Sequence, residues 1–165
     1  MKNMRKSLLL LFLAAISMSS YAQFEKGTKY VGASLTGLNI SYGTGEKFGL
    51  GLAATGGYFI EDSWMLSGRV GYDHKWQDGP DFNEATVGVG ARYYFKSNGI
   101  FLGAGMQYKH AAIDADYLQL PIEVGYCFYL NQHVSIEPAI YFEPCLNKFS
   151  DGTRVGLKIG LGFYF

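Results

Sequence analysis

Proline and cysteine are scarce in this 165-residue sequence: four of the first and two of the second. So little proline beside 22 glycines and an aromatic share of 16% does not describe a disordered chain. It suits strands packed closely together. Cys127 and Cys145 allow one disulfide at most. Helical periodicity is missing throughout. After residue 22 there is no window of 18 apolar residues, so no transmembrane helix is expected. Basic charge is not in excess either. Taking Lys2, Arg5 and Lys6 away with a leader reduces the 14 basic residues to 11, against 14 acidic ones. That balance argues against a nucleic-acid partner.

The leader is read from the first 22 residues. Lys2, Arg5 and Lys6 form a positive start, and "LLLLFLAAI" (Leu8–Ile16) an apolar stretch too short to span a bilayer. Ser20-Tyr21-Ala22 then places small residues at the two positions a signal peptidase reads. The expectation is a cleaved signal peptide over 1–22 and a single domain over 23–165 that starts at Gln23. No cysteine follows the apolar stretch, so a lipoprotein anchor is not expected.

What the remaining chain has is alternation with period two, the strand signature. At the end of the chain Val155, Leu157, Ile159, Leu161, Phe163 and Phe165 alternate with Gly156, Lys158, Gly160, Gly162 and Tyr164. The same pattern recurs from Phe48, Trp64, Glu84, Ile100, Leu118 and Val134. A first strand over 29–42 is less clean, and its facing is ambiguous. The pattern predicts eight strands, each long enough for the roughly 9–11 residues of a tilted membrane strand. Short turns are expected near 60–63, 96–99 and 131–133, and longer loops at 73–82, 110–116 and 144–152. A tight turn at 43–46 is the exception on the long-loop side. Short turns at one end and longer loops at the other are the habit of outer-membrane barrels.

Aromatic residues on the apolar face sort by height. Tyr58, Trp64, Tyr93, Phe95, Tyr126, Phe128, Phe163 and Phe165 fall at the short-turn end, and Tyr42, Phe48, Tyr72, Tyr108 and Phe142 at the long-loop end. Two aromatic girdles around an aliphatic band describe a surface that meets lipid at two interfaces. The fold expected is therefore all-β: an eight-stranded antiparallel up-and-down transmembrane barrel in the outer membrane. Closure removes the strand edges that lipid cannot satisfy. A lumen this narrow holds only side chains, and inward glycines leave room for Arg69, Arg92, Glu123, Glu137 and Lys158 to meet.

The stretches "LQLPIEVGYCFYL" (Leu118–Leu130), "GYFIEDSWMLSGRVGY" (Gly57–Tyr72) and the ending "GLGFYF" resemble the small outer-membrane β-barrel domain family of Gram-negative bacteria, eight-stranded barrels of the OmpA and OmpX type. The resemblance covers residues 27–165. It implies location and fold, and no shared catalytic residues. Phe163 and the final Phe165 resemble the signal by which barrel-assembly machinery recognises its clients. On this resemblance no periplasmic peptidoglycan-binding domain is expected after Phe165.

Three function classes follow. The first is a structural or surface-interaction barrel, in which the inward charges form a paired plug, since buried charges persist when they are paired. The second is a narrow porin or small-solute channel that uses the same charges as an ion path. The third is a lipid A-modifying enzyme, which needs an outward nucleophile and base; His74 or His110 with Ser150 is the only material for it. A soluble lipocalin-like barrel is the rival outside the membrane, and the aromatic girdles oppose it. The expectation is the first class, with no enzyme activity. No cofactor or metal is expected, because His74, His110 and His133 lack ligand spacing. His74, Trp76 and Phe82 on the second long loop are candidate extracellular contacts. The expected partners are outer-membrane lipid and lipopolysaccharide, the assembly machinery, and a possible extracellular ligand; the barrel is expected to be a monomer. Cys127 and Cys145 fall at opposite barrel ends, about ten residues apart at ~3.3 Å rise. Bridged Cα atoms lie within about 7 Å, so a disulfide is not expected. Cys127 reads as a core filler and Cys145 as a loop thiol.

Overall fold

The computed structural model describes residues 24–38, 49–75, 82–96, 98–111, 115–147 and 153–165. The expected leader, and the turn at 43–46, lie outside these residues. Among the described residues ten strand segments occur: β1 (Lys29–Leu38), β2 (Gly49–Glu61), β3 (Trp64–Lys75), β4 (Phe82–Tyr94), β5 (Ile100–Ala111), β6 (Ala115–Gln119), β7 (Ile122–Tyr126), β8 (Phe128–Tyr129), β9 (Val134–Glu143) and β10 (Arg154–Tyr164). All neighbours are antiparallel and follow chain order. β10 pairs with both β9 and β1, which closes the sheet on itself.

The barrel has eight staves, because β6, β7 and β8 are successive pieces of one. The sequence pattern predicts a single strand there from Leu118 to Phe128. The chain leaves strand geometry instead at Leu120–Pro121 and again at Cys127. Pro121 has no N–H to give to the ladder. Its carbonyl still accepts from Gly105 N at 2.9 Å, and Cys127 N donates to Gly99 O at 2.9 Å. The wall therefore stays closed across both breaks. Gly99 turns the chain here with φ 72°, a conformation that favours glycine.

Facing follows the alternation. Leu52, Val70, Val89, Met106, Val124, Ile140 and Ile159 are exposed outward, and their neighbours in sequence point in. The first strand resolves the same way: Val31 and Leu35 face out while Tyr30 is buried. Tyr58, Trp64, Phe95, Phe163 and Phe165 form the exposed aromatics of the short-turn rim, and Tyr72, Tyr108 and Phe142 those of the long-loop rim. Tyr42, Phe48 and Trp76 lie outside the described residues. The strands also reach further toward the long-loop rim than expected. His74 is part of β3 and Phe82 opens β4, so neither is a loop residue. Cross-strand pairing explains this: His74 sits opposite Asn83, and Lys75 opposite Phe82.

Candidate functional site: the barrel lumen

The inward face has three levels. The lowest, at the short-turn end, is aromatic. Phe24, Phe59, Phe101, Tyr94, Tyr164 and Met65 are fully buried there with Tyr30 and Cys127. Phe24 enters from below, from the segment just before β1. Its ring stacks on Tyr94 at 4.4 Å and meets Phe59, Tyr129 and Tyr164 at 5.9–6.3 Å. Its carbonyl accepts from Ser63 N at 2.7 Å. Sequence reasoning missed this layer because it examined aromatic height only on the outward face. The inward aromatics cluster at the short-turn end too, and that was the available signal.

Glycines opposite the large side chains make the layer fit. A Cβ on Gly125 would come within 2.2 Å of the Phe101 ring. One on Gly162 would come within 2.3 Å of Glu137 Oε1.

Replacing Phe24 by Leu removes the stacking contact while keeping an apolar stopper. The expected loss is about 1 kcal/mol, the scale of one aromatic pair. It is measured as a lower temperature for the shift between folded and unfolded gel bands. An unchanged temperature would show that Phe24 is not docked in solution.

The same entry segment is held from outside by Lys26. Its backbone N–H donates to Asp62 Oδ1 at 3.0 Å, and its ammonium group to Glu61 Oε1 at 2.7 Å. The Lys96 hydrogen bond, and then that of the Lys26 backbone, hold the Asp62 carboxyl below its ordinary 3.8. A depressed carboxyl stabilises the fold fully above 3.8 and loses that contribution as pH falls through its folded value. The Lys26 amide signal in NMR is expected to shift and lose protection from exchange as the solution is acidified through that range. A flat Lys26 signal would contradict the contact.

The middle level is an ion-pair cluster. Arg92 Nε donates to Glu123 Oε1 at 2.6 Å, and Nη1 to Glu137 Oε2 at 3.1 Å. Lys158 Nζ donates to the other Glu123 oxygen. Tyr30, Tyr164 and Ser135 hydroxyls donate to Glu137 at 2.8–2.9 Å. The Arg92 guanidinium also lies 4.7 Å from the Phe101 ring centre, so the aromatic layer is its floor. Four of the five expected lumen charges thus meet. Arg69 does not join them: no carboxylate lies within ion-pair distance of it among the described residues, and its buried Nε has no hydrogen-bond partner.

The upper level is a second cluster, and the sequence reading did not single it out. Arg154 grips Glu84 with two hydrogen bonds of 2.7 and 2.8 Å. Lys109 lies 3.6 Å from Glu143 and 3.9 Å from Glu84. All four side chains are buried. Gln107 donates to Gln119 at 2.8 Å nearby.

Of the remaining candidates, His74 Nδ1 lies 2.7 Å from Asn83 Oδ1. His110 Nδ1 lies 2.8 Å from Asp116 Oδ1, with both side chains about half exposed. Ser150 and Trp76 lie outside the described residues. Among the described residues no three His, Cys, Asp or Glu side chains converge as a metal site. Both cysteines are free, and both are buried. Cys145 follows β9 outside the named strands, as expected, but it pairs with Gln119 in an isolated bridge and is 1% exposed.

Comparison with known proteins agrees with this architecture. The profile of the outer membrane protein beta-barrel domain family matches residues 8–165. The chain belongs to that family. It is an eight-stranded barrel of the outer membrane. The crystal structure of neisserial surface protein A is similar over 85% of this chain and 100% of that one, with 22% identity and a TM-score of 0.64. The N-terminal barrel of Pseudomonas aeruginosa OprF is similar over 85% of this chain and 98% of that one, with 15% identity and a TM-score of 0.60. Yersinia pestis Ail, determined in a phospholipid bilayer nanodisc, is similar over 85% of this chain and all of that one, at 13% identity and a TM-score of 0.59. At these identities the likeness speaks for the fold. No curated protein sequence matches the chain.

Proposed function

We propose that this barrel is a non-catalytic, non-conducting outer-membrane protein that works as a structural element or through its extracellular surface. One observation carries the reading: the lumen is crossed in succession by an aromatic layer and two buried ion-pair clusters. An aqueous path would have to break each of these in turn. That weighs against the porin alternative. Against the lipid A-modifying alternative, His110 bonds Asp116 and, among the described residues, no serine, threonine or cysteine nucleophile.

On this reading the partners act outside the lumen. Lipid and lipopolysaccharide cover the apolar wall around a monomeric barrel. The assembly machinery reads Phe163 and Phe165 during biogenesis. An extracellular ligand meets the long-loop rim around His74, Trp76 and Phe82. Replacing residues 43–46, 76–81, 112–114 and 148–152 together by short Gly-Ser turns tests this. The variant is expected to reach the outer membrane folded and to lose the ability to restore the phenotype of a deletion strain. Full restoration by the folded, loop-stripped barrel would place the role elsewhere.

A further inference from the structure

Arg69 stands between the two lumen clusters and belongs to neither. It borders two cavities. The upper one, about 20 Å³, also touches Asp73 and Glu143. The lower one, about 50 Å³, is bordered by Arg69, Arg92 and Lys158, by the hydroxyl-bearing Thr55 and Ser67, and by a single carboxylate, Glu123. Glu123 already serves two cations, with one oxygen to Arg92 and the other to Lys158. The lower cavity is thus walled by three cations and one fully engaged anion, and the Arg69 Nε buried beside it has no acceptor among the described residues. A charge left in such surroundings is costly unless it is paired.

The size of the cavity selects the occupant. One water needs about 10–15 Å³ measured this way, so 50 Å³ accommodates roughly three or four waters, or one halide-sized ion with a water. Gly88, Gly90, Gly103 and Gly105 form its β4 and β5 wall. Those positions stay free of side chains, and the cations opposite face an unfilled wall.

We propose that the lower cavity binds a small monovalent inorganic anion, chloride in ordinary media, which gives the Arg69 Nε its acceptor among the three cations that line the cavity. This goes beyond the surface role proposed above and does not depend on it. A barrel that works through its loops does so whether water or an ion fills the cavity.

Two measurements on the refolded full-length barrel test it. The first is diffraction from wild-type crystals grown with bromide in place of chloride. An anomalous peak is expected in the cavity, in contact with Arg69. The second is the unfolding midpoint in sodium chloride against sodium gluconate at equal ionic strength, so that screening is matched. A saturable rise in the midpoint with chloride is expected for wild type and is lost in Arg69→Met. Absence of the bromide peak overturns the proposal and leaves a water-filled cavity, whatever the salt series shows. A chloride response that survives in Arg69→Met also overturns it. Where Arg69→Met does not refold, the wild-type bromide map alone decides.

Discussion

Glu123→Ala is expected to destabilise the barrel by about 3–5 kcal/mol, the cost of leaving buried charges without their partner. Two cations depend on this one carboxylate: Arg92 through Oε1 and Lys158 through Oε2. Arg92 keeps Glu137, but Lys158 has no second carboxylate within ion-pair distance among the described residues. Its side chain is 5% exposed, and the cavity of about 50 Å³ beside it holds too few waters to replace the carboxylate. The transfer cost therefore outweighs the small loss of packing from a shortened side chain. The check is the unfolding midpoint in detergent or lipid, with Lys158→Met added on the Glu123→Ala background. Removing the second charge is expected to recover much of the loss. A single variant as stable as wild type would mean that water already reaches Lys158.

The second large effect is expected from the upper cluster. Glu84→Ala leaves Arg154 without its two-bonded partner and Lys109 with only Glu143 at ion-pair distance among the described residues. Glu84 is 1% exposed, so the loss is again about 3–5 kcal/mol. Combining Glu84→Met with Arg154→Met removes both charges and keeps the volume, and it is expected to cost far less than either change alone. Arg154 and Lys158, one from each cluster, are four residues apart on β10, roughly 13 Å at the rise of a strand. Glu84→Ala and Glu123→Ala should therefore add to within about 0.5 kcal/mol. A strongly non-additive double variant would show that the two levels behave as one network.

The contrast between these clusters shows what a one-dimensional pattern carries. Alternation is local, and it placed Val70, Val89, Met106 and Ile159 on the lipid side correctly. It also put Arg92, Glu123, Glu137 and Lys158 on one inward face. Partner choice is not local. Arg154 and Glu84 sit 70 residues apart on β10 and β4, and only barrel closure and register bring them together. Glu84, Lys109 and Glu143 fall near strand ends, where a sequence reading takes charges for solvated rim residues. Arg154 falls just before the last alternating run, at Val155, and so escaped it altogether. Tyr30 hid the facing of β1, because an aromatic residue suits either the rim or the core. His74 and Phe82 were read as loop residues because alternation fades where β3 and β4 rise above the apolar band. The break at Pro121 was visible in its residue type, but the alternation of Leu120, Ile122 and Val124 across it concealed the interruption.

The whole account rests on a lumen that is filled and paired, and planar-bilayer recording of the pure wild-type barrel tests that most directly. The expected trace shows no steady conductance at any applied voltage that leaves the bilayer intact, while Glu123→Ala loses stability. Reproducible open-channel currents from wild type, altered in size or ion preference by Glu123→Ala with no loss of stability, would contradict the account and make the barrel a channel.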